Sequence, residues 1–317
     1  MTRESEKYAG ACFDNRLQHQ PIIRGYMPIA RPAALVAAII VLASVAETAV
    51  AQATFERIKS RGQINIGYRP LAQPFAMDDA TGKPAGYAVE FCNAIADRLA
   101  AQTGVTNSVR YIPVDVDRRL LLLREGHIDM LCDSLSANEE RGSVVGFSAP
   151  IFYDNVQVMV RSKDKITTLD QLKNQTVVVI NTTTANKAVA SYSTATGAGI
   201  KVSRAVGADA AFAQLQLGWA KGYARDGVLL ASQKSSLPNS ADFDILPTPL
   251  SLEPLAIGIS RADPAMKALA DSVIADAMKA GTMQTWYSKY FLSPTPFGKA
   301  LNIPMSDRLK EQVEAVK

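Results

Sequence analysis

A short stretch in the first half of the chain combines residue types and a spacing that could bind an anion. Residues 128–131 indicate the end of a buried strand, and the sequence SANE, which begins at Ser136, is typical of a capping box with Ser136 as N-cap and Glu139 bonding back to it. Arg141 would then lie in the first or second turn of a helix. Free backbone N–H groups, a hydroxyl and a guanidinium would together hold a carboxylate. In the alternative, which the spacing alone slightly favours, Arg141 pairs with Glu139 or Glu140 on a surface helix.

The elements that would position these residues alternate between strands and helices, which indicates a mostly parallel α/β sheet. Strands are predicted from apolar or alternating runs, and helices from apolar residues at helical spacing and from their caps. The predicted strands are 63–67, 109–114, 156–160, 176–180, 222–226 and 254–259, and the main predicted helices are 54–60, 86–99, 118–124, 185–192, 208–217 and 263–280.

Charged and hydroxyl side chains stand at the ends of several of these elements. Arg69 follows the first strand, at the edge where open α/β sheets bind ligands, although a solvated loop position suits it equally. Thr183 and Thr184 follow a buried strand and begin a helix, where they offer anion donors or act as simple N-caps. Asp226 ends a strand. Its position alone favours capping of the next helix over binding of an ammonium group.

The composition is that of an ordinary folded protein. The chain has 317 residues, of which 48% are hydrophobic and 20% charged, so it can form two domains with large cores. The net charge of +4 is spread along the chain without a basic run. We therefore expect no binding to nucleic acid.

The N-terminal segment has the pattern of a secretory signal peptide. Residues 32–50 are apolar, and the small residues that follow suit a peptidase, which predicts a signal peptide over residues 1–51. The alternative is a membrane anchor, which Glu47 disfavours because it interrupts the apolar run. Residues 1–26 are too polar for an ordinary n-region, which indicates that translation starts at Met27. We therefore expect the mature protein in the periplasm.

Export places the mature chain in an oxidising compartment, which bears on its cysteines. Cys12 lies in the removed segment, and Cys92 and Cys132 remain as an even pair that we predict to be a disulfide. Two buried free thiols are the alternative. His127 is the single histidine left in the mature sequence, so no histidine-based triad or multi-histidine metal site can form. We expect no cofactor and no metal.

Five segments, in order, resemble bacterial extracellular solute-binding protein family 3, the periplasmic receptors of polar amino-acid ABC importers. They are QINIGYRPLAQPFA, GYAVEFCNAIADRL, GHIDMLCDSLSANEERGSVVGFSAPIFY, TTLDQLKNQTVVVINTTT and KGYARDGVLL. The resemblance implies the two-lobed type II periplasmic-binding-protein fold, each lobe a mostly parallel sheet flanked by helices, with two hinge strands. It implies that residues 52–155 and 250–292 form lobe one, 156–249 lobe two, and 293–317 a C-terminal tail and helix packing on lobe one.

The resemblance also assigns roles to residues that would bind the main-chain groups of an amino acid. Arg141 looks like the family arginine that grips the α-carboxylate, and Ser134 and Ser136 match the donors beside it. Thr183 and Thr184 match the lobe-two turn that takes the same carboxylate after closure. Asp226 matches the acid that holds the α-ammonium group, so the resemblance overrides the capping interpretation.

Other positions resemble, or depart from, the glutamate/aspartate-binding branch of the family. Arg69 and Arg119 resemble two arginines that there receive the ligand side-chain carboxylate, and Cys132 also resembles that branch. Thr182 replaces a frequent glycine, and Val116 stands where a hydroxyl is usual. Residues 207–211 lack a histidine that the branch can carry. These departures leave an amino-acid receptor intact and put glutamate specifically in doubt.

We therefore expect a monomeric, non-enzymatic receptor that captures an acidic amino acid, glutamate or aspartate, and delivers it to the permease of an ABC importer. The first alternative is a dehydratase-like enzyme on the same fold with Glu253 as general acid, although a hinge salt bridge would also explain Glu253. The second is a receptor for a neutral amino acid. Asp226 argues against a ligand that lacks an amine.

Overall fold

Strands and helices alternate along the described chain as the sequence predicts. The computed structural model describes residues 53–106, 108–294 and 299–317, so the predicted signal peptide and the start at Met27 lie outside the described residues. None of the helices within these ranges is long and apolar enough to cross a membrane.

The helices and strands have the following bounds. The α-helices are α1 Ala53–Arg61, α2 Tyr87–Thr103, α3 Arg119–Arg124, α4 Glu139–Gly142, α5 Thr184–Thr196, α6 Ala208–Leu217, α7 Gly227–Ser235, α8 Pro264–Lys279, α9 Thr282–Tyr287 and α10 Asp307–Ala315. The strands are β1 Ile64–Tyr68, β2 Leu71–Ala72, β3 Ala76–Asp78, β4 Pro84–Ala85, β5 Val109–Pro113, β6 Met130–Cys132, β7 Gly146–Arg161, β8 Thr176–Ile180, β9 Lys201–Ala205, β10 Gly222–Asp226, β11 Phe243–Ile245 and β12 Ser251–Ile259. Short 3₁₀ turns cover Ser162–Asp164, Leu169–Leu172 and Ser240–Asp242, and a π-helical turn, Ser288–Leu292, follows α9.

Two sets of parallel strands are joined by long antiparallel strands. The strand order is β5-β1-β6-β12-β7-β10-β8-β9, and β11 also pairs with β7. We call β5, β1 and β6 the first half-sheet and β10, β8 and β9 the second half-sheet, because within each set the pairing is parallel. β7 pairs with β12 over its first part and with β10 over its second. The architecture is therefore the predicted two-lobed α/β type with two crossing strands.

The first half-sheet packs against the larger apolar core. Every residue of β1 is buried, which is typical of a parallel strand covered on both faces. A cluster of aromatic rings fills this core, with mostly edge-to-face contacts: Phe75, Tyr87, Phe91, Phe152, Tyr287 and Phe291. The C-terminal helix α10 buries Leu309 and Val313 in the same core.

The predicted disulfide is confirmed, because Cys92 of α2 is bonded to Cys132 of β6. Both cysteines are fully buried. The bond joins the longest helix of the first core to the strand that leads directly into Asp133 and Ser134. The backbone at the end of β6 is therefore held from one side by the sheet and from the other by a covalent link.

The predicted capping box at Ser136 is wrong, and helix α4 begins at Glu139, two residues later than that box predicts. Asn138 is its N-cap, with Oδ1 accepting from the Arg141 backbone N–H at 2.9 Å. Ser136 instead lies in an extended segment that bridges to Leu255. Pairing of this segment with β12 keeps the backbone out of helical geometry until Asn138, so tertiary pairing overrides a valid local cap.

Candidate functional site

The carboxyl ends of β1, β6, β8 and β10 surround a small cavity of about 20 Å³. The carboxyl ends of strands are where α/β sheets bind ligands. All eight residues predicted to bind the ligand line it: Arg69, Arg119, Ser134, Ser136, Arg141, Thr183, Thr184 and Asp226. Ile180, Ala185, Arg225 and Leu229 complete the wall.

Arg141 is a buried cation that has no carboxylate partner among the described residues. Its side chain donates from Nη1 to the carbonyl of Ser136 at 3.1 Å, and the residue is 7% exposed. Burial lowers the pKa of Arg141 to about 10, and the positive charge of Arg119 adds to this effect, while Asp226 opposes it. The guanidinium still carries its proton at neutral pH. A buried charge without a partner is unfavourable, so this position suits an anion from outside the protein.

The turn at Thr183 and Thr184 presents a helix N-terminus to the cavity. Thr183 is the N-cap of the 13-residue helix α5, and no side chain caps it. Its hydroxyl instead donates to the carbonyl of Ile180 at 2.7 Å. The Thr184 hydroxyl donates to Oε2 of Glu253 at 2.7 Å. The uncapped backbone N–H groups and the helix dipole favour an anion near this end.

Asp226 does not cap α7, so the capping interpretation is wrong. The backbone N–H of Val228 lies 3.3 Å from Oδ2 of Asp154, which takes the role of the cap from the crossing strand β7. Burial raises the pKa of Asp226, and the nearby carboxylate of Glu253 raises it further, while Arg225 and Arg69 oppose the shift. Burial likewise raises the pKa of Asp154, and Asp226 adds to it. A cation bound here would relieve this repulsion.

Arg69 and Arg119 share one buried carboxylate, that of Asp133. Arg69 donates from Nε to Oδ1 of Asp133 at 3.0 Å and from Nη2 to the hydroxyl of Ser134 at 2.9 Å. Arg119 pairs with Oδ2 of Asp133 through Nη1. Burial alone would raise the pKa of Asp133, but the two guanidinium groups outweigh it and lower the pKa to about 2. The solvated interpretation of Arg69 is therefore wrong, because the residue is 8% exposed.

Two charged residues at the site had no predicted role. Asp133 follows β6 directly, and Arg225 stands next to Asp226 in β10. Arg225 donates from Nη2 to the carbonyl of Leu71 at 3.1 Å. The sequence carries a signal for both, because each lies at the carboxyl end of a strand, on the edge where Arg69 was already placed.

Glu253 and Thr182 are two further positions whose roles the sequence left open. Glu253 forms no hinge salt bridge with any described residue, and its carboxylate accepts from the hydroxyls of Thr184 and Ser251. Thr182 adopts a left-handed backbone conformation with φ of 57°, which is the region that favours glycine. Its hydroxyl donates to Oδ1 of Asp117 at 2.7 Å. The side chain that replaces glycine therefore makes a contact that glycine could not make.

As a whole, the site brings four guanidinium groups close to several carboxyl groups. Arg69, Arg119, Arg141 and Arg225 supply the positive charge, and the acidic side chains that oppose it are Asp133, Asp154, Asp226 and Glu253. Such an arrangement can hold a small molecule that carries both a negative and a positive charge, with hydrogen-bond donors on several sides. Its chemistry is that of recognition by ion pairs and hydrogen bonds.

The chain is similar to known proteins over most of its length. Residues 64–293 match the model of the bacterial extracellular solute-binding proteins, family 3. The chain is 28% identical over 267 residues to the glutamate/aspartate import solute-binding protein of Salmonella typhimurium, covering 84% of this chain and 88% of that one. It is 28% identical over 263 residues to the L-glutamate/L-aspartate-binding protein of Pseudomonas aeruginosa, covering 82% and 87%.

Solved structures with the same fold bind different amino acids. An ancestral arginine-binding protein bound to arginine has a TM-score of 0.63 and 27% identity, covering 73% of this chain and 99% of that one. The solute receptor for L-cysteine of Neisseria gonorrhoeae has a TM-score of 0.66 and 25% identity, covering 75% and 93%. The fold is thus shared across ligands of different charge. Because the family model spans most of its length, the chain belongs to the bacterial extracellular solute-binding proteins, family 3.

Proposed function

We propose that this protein is a periplasmic receptor that binds an acidic amino acid, glutamate or aspartate, in the cavity and delivers it to the permease of an ABC importer. The observation that carries the proposal is the buried Arg141, a cation that has no carboxylate partner among the described residues. Arg141 and Asp226 line the same cavity. Burial and the nearby carboxylate of Glu253 disfavour the charged form of Asp226. A zwitterion supplies both missing partners at once.

The α-carboxylate would bind between Arg141 and the start of α5. A guanidinium gives two parallel N–H donors, and the uncapped N-terminus at Thr183 and Thr184 gives backbone donors from the other side. The α-ammonium group would bind Asp226. A bound ammonium group would favour the ionised form of Asp226, because a bound cation lowers a carboxyl pKa that burial has raised.

The ligand side chain would extend toward Arg69 and Arg119. These two cations share one internal carboxylate, so the group retains one uncompensated positive charge. A carboxylate on the ligand side chain would balance it. The relatives named for glutamate and aspartate support this choice, and the relatives named for arginine and cysteine are the reason why binding must be measured.

We propose the lobe boundaries predicted above, with closure of the lobes over the ligand. Hydrogen bonds that join residues assigned to different lobes include those of Thr182 to Asp117, Thr184 to Glu253, and Arg225 to the carbonyl of Leu71. A closed cleft excludes water, which strengthens charged hydrogen bonds to a small ligand. The receptor would work as a monomer without catalysis, since capture and release need only binding and closure.

Calorimetric titration tests the proposal. Mature protein is unfolded, dialysed free of bound ligand, refolded, and titrated with L-glutamate, L-aspartate, L-glutamine and L-histidine. We expect tight binding of the two acids and weaker binding of the others by at least about tenfold, since one charged contact differs. Binding of glutamine or histidine alone would retain the receptor and reject the acidic ligand. Binding of none of the four would reject the proposal.

A further inference from the structure

We propose that Asp133 is a specificity-determining residue of the cleft, an internal carboxylate that competes with the ligand side chain for Arg69 and Arg119. The inference rests on the proposed function in taking the cavity as the ligand site. It adds that the protein itself limits how strongly this site prefers an acid to an amide.

The first observation is that Asp133 and its two partners are buried together. The side chain of Asp133 is fully buried, and those of Arg119 and Arg69 are 3% and 10% exposed. Both arginines also line the cavity. With so little water between the groups, the charge of Asp133 acts on anything that approaches the same guanidinium groups.

The second observation is that Asp133 accepts from only some of the N–H donors of the two arginines. Nε of Arg119 is buried and has no hydrogen-bond partner among the described residues. An unsatisfied buried N–H of a charged group is unfavourable, so an acceptor on the ligand would gain by meeting it. Asp133 therefore also positions the guanidinium groups, since it engages Nε of Arg69 and Nη1 of Arg119 and thereby orients their other donors.

The consequence concerns selectivity between glutamate and glutamine, which differ by one charge at nearly equal shape. A ligand carboxylate near Arg69 and Arg119 is attracted by their two positive charges and repelled by the negative charge of Asp133. A neutral ligand amide experiences both forces much less. Neutralising Asp133 at constant shape should strengthen binding of the acid far more than binding of the amide. A charge at contact distance shifts a carboxyl pKa by about one to three units, and one pKa unit corresponds to about tenfold in affinity.

The chain provides a matched control in Asp129. Its carboxylate is also fully buried and also pairs with two arginines, Arg57 and Arg61. None of these three residues lines the cavity. Asp129→Asn therefore removes the same charge from the same kind of cluster, four residues before Asp133.

The experiment titrates refolded wild type, Asp133→Asn and Asp129→Asn with L-glutamate and L-glutamine. We expect the ratio of the glutamine Kd to the glutamate Kd to rise at least about tenfold in Asp133→Asn and to stay within about twofold of wild type in Asp129→Asn. Asp133→Glu keeps the charge and should leave the ratio close to that of wild type. If Asp133→Asn does not fold, Asp133→Ala is titrated in its place, with folding checked by circular dichroism.

The outcomes separate the two proposals. If wild type prefers glutamine and Asp133→Asn shifts toward glutamate, the acidic ligand is rejected and the role of Asp133 stands. If wild type prefers glutamate and the ratio is unchanged in folded Asp133→Asn, the role of Asp133 is overturned and the receptor stands. An equal shift in Asp129→Asn, or no binding by any folded variant, also overturns the role of Asp133.

Discussion

Asp129 and Asp133 stand at the two ends of β6, and each holds two arginines with a fully buried carboxylate. Around Asp129 the arginine side chains, those of Arg57 and Arg61, are 29% and 27% exposed. Around Asp133 they are 10% and 3% exposed. The chemistry is the same, and the surroundings differ in how much water can screen the charges.

The two clusters also differ in what else they bind. Asp129 accepts a hydrogen bond from the backbone N–H of Asn65 at 2.8 Å, so it ties the start of β1 to β6 and to α1. Asp133 lies at the carboxyl end of the same strand, beside the cavity, and its arginines line that cavity. An ion cluster at the amino end of the strands fastens elements together. An ion cluster at the carboxyl end of the strands lies where ligands bind, so it can affect which ligand binds.

The largest expected effect is on stability. Asp133→Asn should lower the free energy of unfolding by about 3 kcal/mol, because it leaves two buried guanidinium groups facing a neutral amide. Asp129→Asn should lower it by less, because water partly screens Arg57 and Arg61. Urea unfolding followed by circular dichroism measures both. A larger loss in Asp129→Asn would mean that exposure of the arginines is not what separates the clusters.

The next effect is on ligand binding and concerns Arg141, which has no carboxylate partner among the described residues. Arg141→Ala should weaken binding of every α-amino acid at least about 100-fold, because truncating one partner of a buried charge pair costs about 2–5 kcal/mol. Calorimetry with the ligand that wild type binds provides the measurement. Arg57→Ala, in the cluster away from the cavity, is the control and should bind as wild type does. A loss below tenfold in Arg141→Ala would contradict the assignment of Arg141 to the α-carboxylate.

The third effect is on the pH dependence of stability. The pKa of Asp133 is lowered to about 2 in the folded protein, from an ordinary value of 3.8. The ionised carboxylate therefore stabilises the fold above pH 4, and this contribution disappears as the pH falls from about 4 toward 2. It amounts to about 2 kcal/mol at 1.36 kcal/mol per pKa unit.

Comparison of wild type with Asp133→Asn isolates this contribution. Asp154 and Asp226 act in the opposite direction, since their pKa values are raised and their protonation on acidification stabilises the fold. Both are present in both proteins, so they cancel in the difference. The difference in unfolding free energy between wild type and variant should shrink as urea melts are repeated from pH 5 to pH 2.5. A constant difference would show that Asp133 is not held ionised by its arginines.

The smallest effect concerns selectivity within the cavity. Arg69→Ala should weaken binding of glutamate about tenfold more than binding of glutamine, because only the acid loses a charged partner. Arg61→Ala, the corresponding change beside Asp129, should alter neither. The two ligands are titrated into each variant under the same conditions. Equal losses of both ligands in Arg69→Ala would contradict the assignment of Arg69 to the ligand side chain.

Much of the fold was accessible from local pattern. The apolar run at 176–180 became β8 at the same residues, and Gly104 and Gly218 end α2 and α6 with left-handed conformations. The eight predicted ligand-binding residues all face one cavity. Periodicity and glycine signals are read from neighbouring residues, and the family motifs supplied the roles that such signals do not contain.

The errors fall where partners are distant in sequence. Ser136 follows a valid capping pattern, yet pairing with Leu255 draws it into extended structure. Asp226 occupies a valid N-cap position, yet Asp154, 74 residues before Val228, accepts from the N–H of Val228. In both cases a contact with a residue distant in the sequence decided which of two favourable local arrangements formed.

By itself, the sequence determined the order of the main strands and helices and the even pair of cysteines, because these follow from spacing and composition along the chain, and the family motifs indicated which residues reach the cavity. Only the tertiary structure decided that Asp133 holds Arg69 and Arg119 together while Arg141 has no carboxylate partner among the described residues. Arg69 and Asp133 are separated by 64 residues, and their contact exists because β1 and β6 pair in parallel and end at the same edge. Charge compensation depends on distance in space, which the linear order of residues does not contain.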